Sequence, residues 1–120
     1  KPWLPVGAEH QEKSVNLQEG SASSVLNSYR HFTQWRKQHS ALLYGEITFV
    51  DTAEPILAFI RKDSVEKILV CFNFSNQAQK LSLDLLSDEL LVLTDHHLTT
   101  AKIADGQITL PAFGCFYASL

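Results

Sequence analysis

The stretch Lys67-Ile-Leu-Val-Cys-Phe-Asn-Phe74 carries apolar side chains at consecutive positions, with no alternation to tell one face from the other. Successive side chains of a strand point to opposite faces, so both faces of this one have to be covered. It is expected to be a central strand with packed layers on either side. A chain of 120 residues has room for one ordinary domain with its own core.

The residues around it have the pattern of further strands. From Glu46 onward, candidates are Ile47–Val50, Ile56–Arg61, Gln79–Leu83, Leu90–Thr94, Thr100–Ala104, Gln107–Leu110 and Cys115–Ser119. Turn chemistry separates them at 51–55, Lys62-Asp-Ser64, Ser75-Asn76, Ser87-Asp88, Asp105-Gly106 and Pro111. Leu81, Leu83 and Leu85 alternate with Ser82 and Asp84, as in a half-exposed strand. Asp105-Gly106 is a strong two-residue hairpin signal. Many short strands at this spacing predict a mainly β fold, an antiparallel Greek-key β-sandwich.

One amphipathic helix precedes the strands. Ser21-Ala-Ser-Ser24 offers N-cap hydroxyls, and a helix is expected from about Ala22 to about Gln38. Lys37 and His39 suit the negative end of its dipole. Ala41-Leu-Leu-Tyr44 reads as a compact turn ended by Gly45. At about 100° per residue, Val25, Tyr29, Phe32, Trp35, Arg36 and His39 fall on one side, with Leu26 and Thr33 at its edge. That arc of roughly 180° exceeds what one packed layer requires, so the helix is expected to touch two things. Residues 1–20 read as irregular, with Pro2 and Pro5 extending the chain around Trp3.

Composition narrows the function classes. Ten basic against thirteen acidic residues give a net charge of −3, with no basic cluster for nucleic acid. No apolar run spans a bilayer, and Lys1-Pro-Trp-Leu-Pro is not a signal peptide. The expectation is no nucleic acid, no membrane and a cytoplasmic setting. The sequence has no Met, and its extended opening reads as part of a longer polypeptide. Cys71 and Cys115 sit in apolar strands and are expected to be buried, reduced thiols.

Chemistry-bearing residues do not converge. His96-His97 lacks a third ligand at metal spacing and reads as a solvated turn. His39-Ser40 has no orienting partner for a nucleophilic dyad. Cys71 lacks the electropositive setting of a reactive thiol. Asn73-Phe-Ser75 matches the glycosylation sequon by chance. The carboxylates Asp51, Glu54, Asp63, Asp88 and Asp105 lie scattered over turns. Trp3, Tyr29, Trp35, Phe59, Phe113 and Tyr117 are expected mostly to pack in the core rather than stack on sugars. No catalytic residue, cofactor or metal is expected in this chain.

A series of motifs carries a resemblance. Lys1-Pro-Trp-Leu-Pro-Val6, Ser24-Val-Leu-Asn-Ser-Tyr-Arg30, Trp35-Arg-Lys-Gln-His39 and Ala41-Leu-Leu-Tyr-Gly45 together resemble the C-terminal end of α-glucosidases and oligoglucosidases of glycoside hydrolase family 13, the α-amylase clan. Val70-Cys-Phe-Asn-Phe-Ser75 and Pro111-Ala-Phe-Gly114 are similar to a strand and the closing turn of that family's domain C. The resemblance implies that residues 1–45 are the end of a (β/α)8 barrel with its last helix, and 46–120 the β-sandwich. Ser40 stands where the family commonly has proline, and Gly7-Ala-Glu-His10 replaces its usual turn, so the substrate linkage stays open.

The resemblance further implies a parent enzyme that cleaves α-glucosidic bonds with retention, through an aspartate nucleophile and a glutamate acid/base. No position here matches those motifs, so this chain is expected to be a non-catalytic C-terminal fragment that stabilises the parent's barrel, reaching α-glucosides only through the parent. A free-standing carbohydrate-binding β-sandwich is the alternative, and a protein-interaction module a third reading. Without the barrel, part of Val25, Leu26, Tyr29, Phe32 and Trp35, along with the Trp3 string, is expected to be left bare and reburied by self-association or by the N-terminal segment folding back.

Overall fold

The computed structural model describes residues 3–83, 90–99 and 101–120. Among the described residues, alternating apolar and polar residues, cut by turn chemistry, produce eight strands: β1 (Glu46–Val50), β2 (Ile56–Lys62), β3 (Lys67–Asn73), β4 (Gln79–Ser82), β5 (Leu91–Val92), β6 (Lys102–Ala104), β7 (Gln107–Leu110) and β8 (Cys115–Ser119). They form a five-stranded sheet in the order β1-β2-β3-β8-β5 and a three-stranded sheet in the order β4-β7-β6. Every pairing is antiparallel. The chain leaves the first sheet after β3, returns for β5, leaves again for the β6–β7 hairpin and inserts β8 beside β3. The antiparallel sandwich read from the sequence is borne out. The expected Ser87-Asp88 turn, Leu85 and the Thr100 start of a strand lie outside the described residues.

The β3 run is apolar on both faces because the five-stranded sheet has a layer on each. Leu69 and Cys71 of β3 join Phe116 and Ala118 of β8 and Ile108 and Leu110 of β7 between the two sheets. Ile68 and Val70 join Cys115, Tyr117, Trp35, Ala41 and Leu42 on the opposite face, under the helices. The result is helix on sheet on sheet, with β3 and β8 in the middle layer.

The helical layer has two parts. α3 (Val25–Arg36) is capped by Ser24, whose hydroxyl accepts from the Asn27 N–H at 3.2 Å, so it starts after Ala22 rather than at it. Residues 40–44 are a short helix, α4 (Ser40–Tyr44), rather than the expected turn. The β2–β3 turn holds it in place: the Glu66 carboxylate accepts the Ala41 N–H at 3.0 Å and lies 3.1 Å from His39 Nδ1. Gly45 follows where no side chain fits, since an added Cβ would stand 2.6 Å from the Ala41 carbonyl oxygen and 2.8 Å from that of Lys62. At the far end, Asp105 (φ 51°) and Gly106 (φ 71°) make the expected left-handed hairpin turn between β6 and β7.

Residues 1–20 are not irregular as expected. They contain α1 (Ala8–Glu12) and α2 (Val15–Glu19), neither with a buried residue. Both are too short to show a hydrophobic period, and α2 is held on α3 by polar bonds instead. The Gln18 side chain accepts from Leu26 N–H at 3.0 Å, Asn27 Nδ2 donates to the Gln18 and Ser21 carbonyls, and Arg30 pairs with Glu19 at 2.9 and 2.8 Å. These outlying turns stretch the chain to a radius of gyration of 17.4 Å, against about 13–14 Å for a compact domain of this length.

Candidate docking face

The helix-side face of the five-stranded sheet is only half covered. Register places Ile47 and Phe49 of β1 opposite Arg61 and Phe59 of β2, which in turn oppose Ile68 and Val70 of β3. The helices cover the β3–β8 half, and α4 also reaches β2 at its Arg61 end. The rest of the β1–β2 half stays open, as does the end of the sheet just past β3, leaving Phe49 66% and Phe74 65% exposed. Phe49, Phe59, Phe72 and Phe74 form a row of ring contacts at centroid distances of 6.1, 6.2 and 6.2 Å, and Phe72 continues it to Tyr117 at 6.1 Å. The row ends under α3, where Tyr117 meets Trp35 at 5.0 Å.

Across the gap, α3 turns its own bare side to solvent. Val25 is 80% and Tyr29 68% exposed, while Phe32 is half-buried and Trp35 buried. Phe32 lines two adjoining hollows, one beside Val25 and Tyr29 and one beside Phe59 and Phe72. The exposed helix side and the aromatic row are therefore one surface, of a kind that folded chains keep covered.

The second hollow, about 170 Å³, is apolar except at its rim. Arg36 and Arg61 line it together with Tyr117. Arg36 donates one bond to the Leu42 carbonyl at 2.9 Å, and Arg61 donates Nε and Nη2 to the Gly45 carbonyl at 3.1 and 2.8 Å. Burial, with Cys115 second, pushes the Tyr117 phenol well above its ordinary range, and the Arg36 guanidinium pulls the other way. Tyr117 is thus a neutral hydroxyl at ordinary pH.

The structure separates the other chemistry-bearing residues. His96 and His97 point apart, but His96 is no solvated turn residue: it is fully buried, packed against Trp35 at 5.2 Å and Tyr117 at 5.0 Å. The turn is there as expected; the two large rings across it draw one histidine inward. His96 Nδ1 accepts from the Leu98 N–H at 3.1 Å, which leaves the neutral ring's proton on Nε2, without a hydrogen-bond partner among the described residues. Burial above all lowers its pKa. His97 stacks outside on His31, with centroids 4.2 Å apart. His39 is committed to Glu66.

Cys71 and Cys115 are buried free thiols, as expected, on opposite faces of the sheet. Asn73 is 2% exposed, its amide donating to the Gln77 and Pro111 carbonyls and its oxygen accepting from Ser75, so the sequon is a structural pin. Asp51, Glu54 and Asp105 are exposed and Asp63 closes the β2–β3 turn, while Asp88 lies outside the described residues. Of the six aromatics expected mostly inside, Trp35 and Tyr117 are buried and Phe59 half-buried, but Trp3, Tyr29 and Phe113 are exposed. Trp35 is not bare, because His96, His39 and Tyr117 enclose it. Nor does the N-terminal segment fold back over the helix with its apolar residues, since Trp3 is 93% exposed.

Phe49, Phe72, Phe74 and Arg61 were not singled out from the sequence. Ile47 and Phe49 put apolar residues on one face of β1, which marks that face as apolar without telling whether this chain or another covers it.

The family described as Maltogenic Amylase, C-terminal domain, matches residues 47–117, which run from β1 into β8. The chain belongs to this family. As a maltogenic amylase C-terminal domain it is 40% identical over 119 residues to a probable α-glucosidase of Rhizobium meliloti (strain 1021), covering 99% of this chain and 21% of that protein. A glucan 1,6-α-glucosidase of Streptococcus pneumoniae is 35% identical over 86 residues, 70% of this chain and 16% of that protein. Among solved structures, the α-glucosyl transfer enzyme XgtA superposes with a TM-score of 0.92 at 34% identity, over 99% of this chain and 22% of XgtA. That superposition includes the helical layer as well as the sandwich. Isomaltulose synthase from Erwinia rhapontici, at 24% identity and a TM-score of 0.75, shares the fold over 98% of this chain and 22% of its own. The resemblance to the C-terminal region of family 13 α-glucosidases is borne out. The chain spans about a fifth of the length of the R. meliloti relative.

Proposed function

We propose that this chain is the non-catalytic C-terminal region of a cytoplasmic α-glucosidase-type glycoside hydrolase and that it stabilises the catalytic (β/α)8 barrel by covering its flank. The observation that carries this reading is the continuous bare surface made by Val25 and Tyr29 of α3 with Phe49 and Phe74 of the sheet. A surface of that kind is stable only when another apolar surface sits on it, and the likeness to α-glucosidases supports a barrel as that surface. The activity belongs to the longer polypeptide: retaining cleavage of α-glucosidic bonds in maltose or oligosaccharides, by carboxylates outside this chain. The test is an assay of this chain on maltose and an aryl α-glucoside, where no turnover above blank is expected. Reproducible turnover would sink the reading.

The aromatic row also favours a second reading, carbohydrate binding on the sheet face. Sugars need polar groups beside the rings they stack on; the exposed rings of this row are phenylalanines, and Arg36, Arg61 and Tyr117 are the polar side chains on the hollow beside them. Titration with maltodextrins decides: saturable binding with shifted tryptophan fluorescence supports the module, and silence supports the scaffold. Sedimentation of the isolated chain shows whether the same face pairs two copies when no barrel covers it.

A further inference from the structure

Among the described residues, two of the three arginines have no carboxylate partner. Arg30 is paired bidentately with Glu19, but Arg36 and Arg61 have no acidic partner among the described residues. Both stand on the hollow between α3 and the sheet, one from each side of it. A guanidinium has five N–H donors. Arg36 spends one on Leu42 and Arg61 two on Gly45, both backbone carbonyls at the end of α4. The Tyr117 hydroxyl on the same hollow makes no hydrogen bond among the described residues. Carbonyl capping therefore accounts for part of each cation and for none of the phenol.

We infer that this hollow is an anchor site for one carboxylate side chain of the barrel, with Arg36 and Arg61 as its cationic walls and Tyr117 as a neutral donor. Charge complementarity commits the occupant: two guanidiniums that share the hollow with Phe32, Phe59 and Phe72 need an anion once the face is covered, because covering removes the water that now solvates them. The planar fork of arginine suits a carboxylate, which can accept two parallel bonds from it. An apolar partner surface alone would leave both cations buried without a counter-charge. The inference rests on the docking reading above and adds to it the chemistry of the barrel residue at the centre of the contact.

The test melts two proteins, the 120-residue chain alone and the longer polypeptide that carries it, at low and high NaCl. Arg36→Gln and Arg61→Gln are expected to lower the melting temperature of the longer polypeptide by about 3 °C more than that of the chain alone. That excess is expected to shrink at about 1 M salt, where the screening length falls to ~3 Å. Arg36→Lys, which keeps the charge without the fork, is expected to recover part of it. Equal effects in the two proteins, or none, reduce the arginines to caps for α4 and overturn the inference. Phe49→Ser, away from the hollow, tests docking separately. A loss confined to the longer polypeptide upholds docking whatever the arginines do, and an equal effect in both proteins, or none, removes the docking reading and the anchor with it.

Discussion

Trp35 of α3 stands edge-on to Tyr117 of β8, with ring centroids 5.0 Å apart and planes at 70°. This contact joins the helical layer to the centre of the sheet, and both residues are almost fully buried, at 5% and 3% exposure. It also divides α3 in two. The Trp35 end belongs to this domain's core, and the Val25–Tyr29 end stays in solvent.

Trp35→Ala is expected to cost about 3–5 kcal/mol, because it removes a large buried ring and leaves a cavity beneath α3. Urea unfolding checks this. Val25→Ala, at the bare end of the same helix, is expected to change stability by less than about 0.5 kcal/mol in the isolated chain.

Asn73→Asp is expected to destabilise by at least about 2 kcal/mol at neutral pH. It places a carboxylate against the Gln77 and Pro111 carbonyls that now accept from the amide. The carboxylate's folded pKa is then raised, so the loss is relieved as pH falls to about 4, where the unfolded chain's aspartate also protonates. Denaturant melts at two pH values measure both effects.

His96 makes stability depend on pH in the opposite sense. Burial holds its folded pKa below the ordinary 6.5, so the unfolded chain takes up a proton first as pH falls. Its contribution is fully present above 6.5 and is lost progressively below it. In melts taken between neutral and mildly acidic pH, the wild type is expected to weaken more than His96→Phe. Identical slopes would show that His96 does not supply the dependence.

The two thiols are expected to be inert in the folded chain. Burial pushes Cys71 up to about 12 and Cys115 up to about 11, so neither forms a reactive thiolate at pH near 8. A thiol-exchange reagent should titrate both only after denaturant is added. Rapid reaction of either in the native state would contradict their placement.

The fold was legible where its causes are local. The β3 run, the alternation of the other strands and Asp105-Gly106 each carry their own instruction. The helix α2 was not legible, because Gln18, Asn27 and Arg30 hold it with polar bonds that leave no hydrophobic period. The docking face was legible in part. The excess apolar width of α3 indicated a second contact, but nothing local distinguishes Phe49 on β1 from an aromatic residue inside a core.

By itself the sequence determined the strand set, the two-sided burial of β3, the helix with too wide an apolar arc and the kinship with α-glucosidase C-terminal domains. Only the tertiary structure decided how that arc divides, with Trp35 inward and Tyr29 outward, and that His96 is drawn inside by two rings far from it in the chain. It also decided that Arg36 and Arg61 meet at one hollow. Strand and turn formation depend on neighbours a few residues apart, whereas burial depends on which layers the assembled sheet presents to each face.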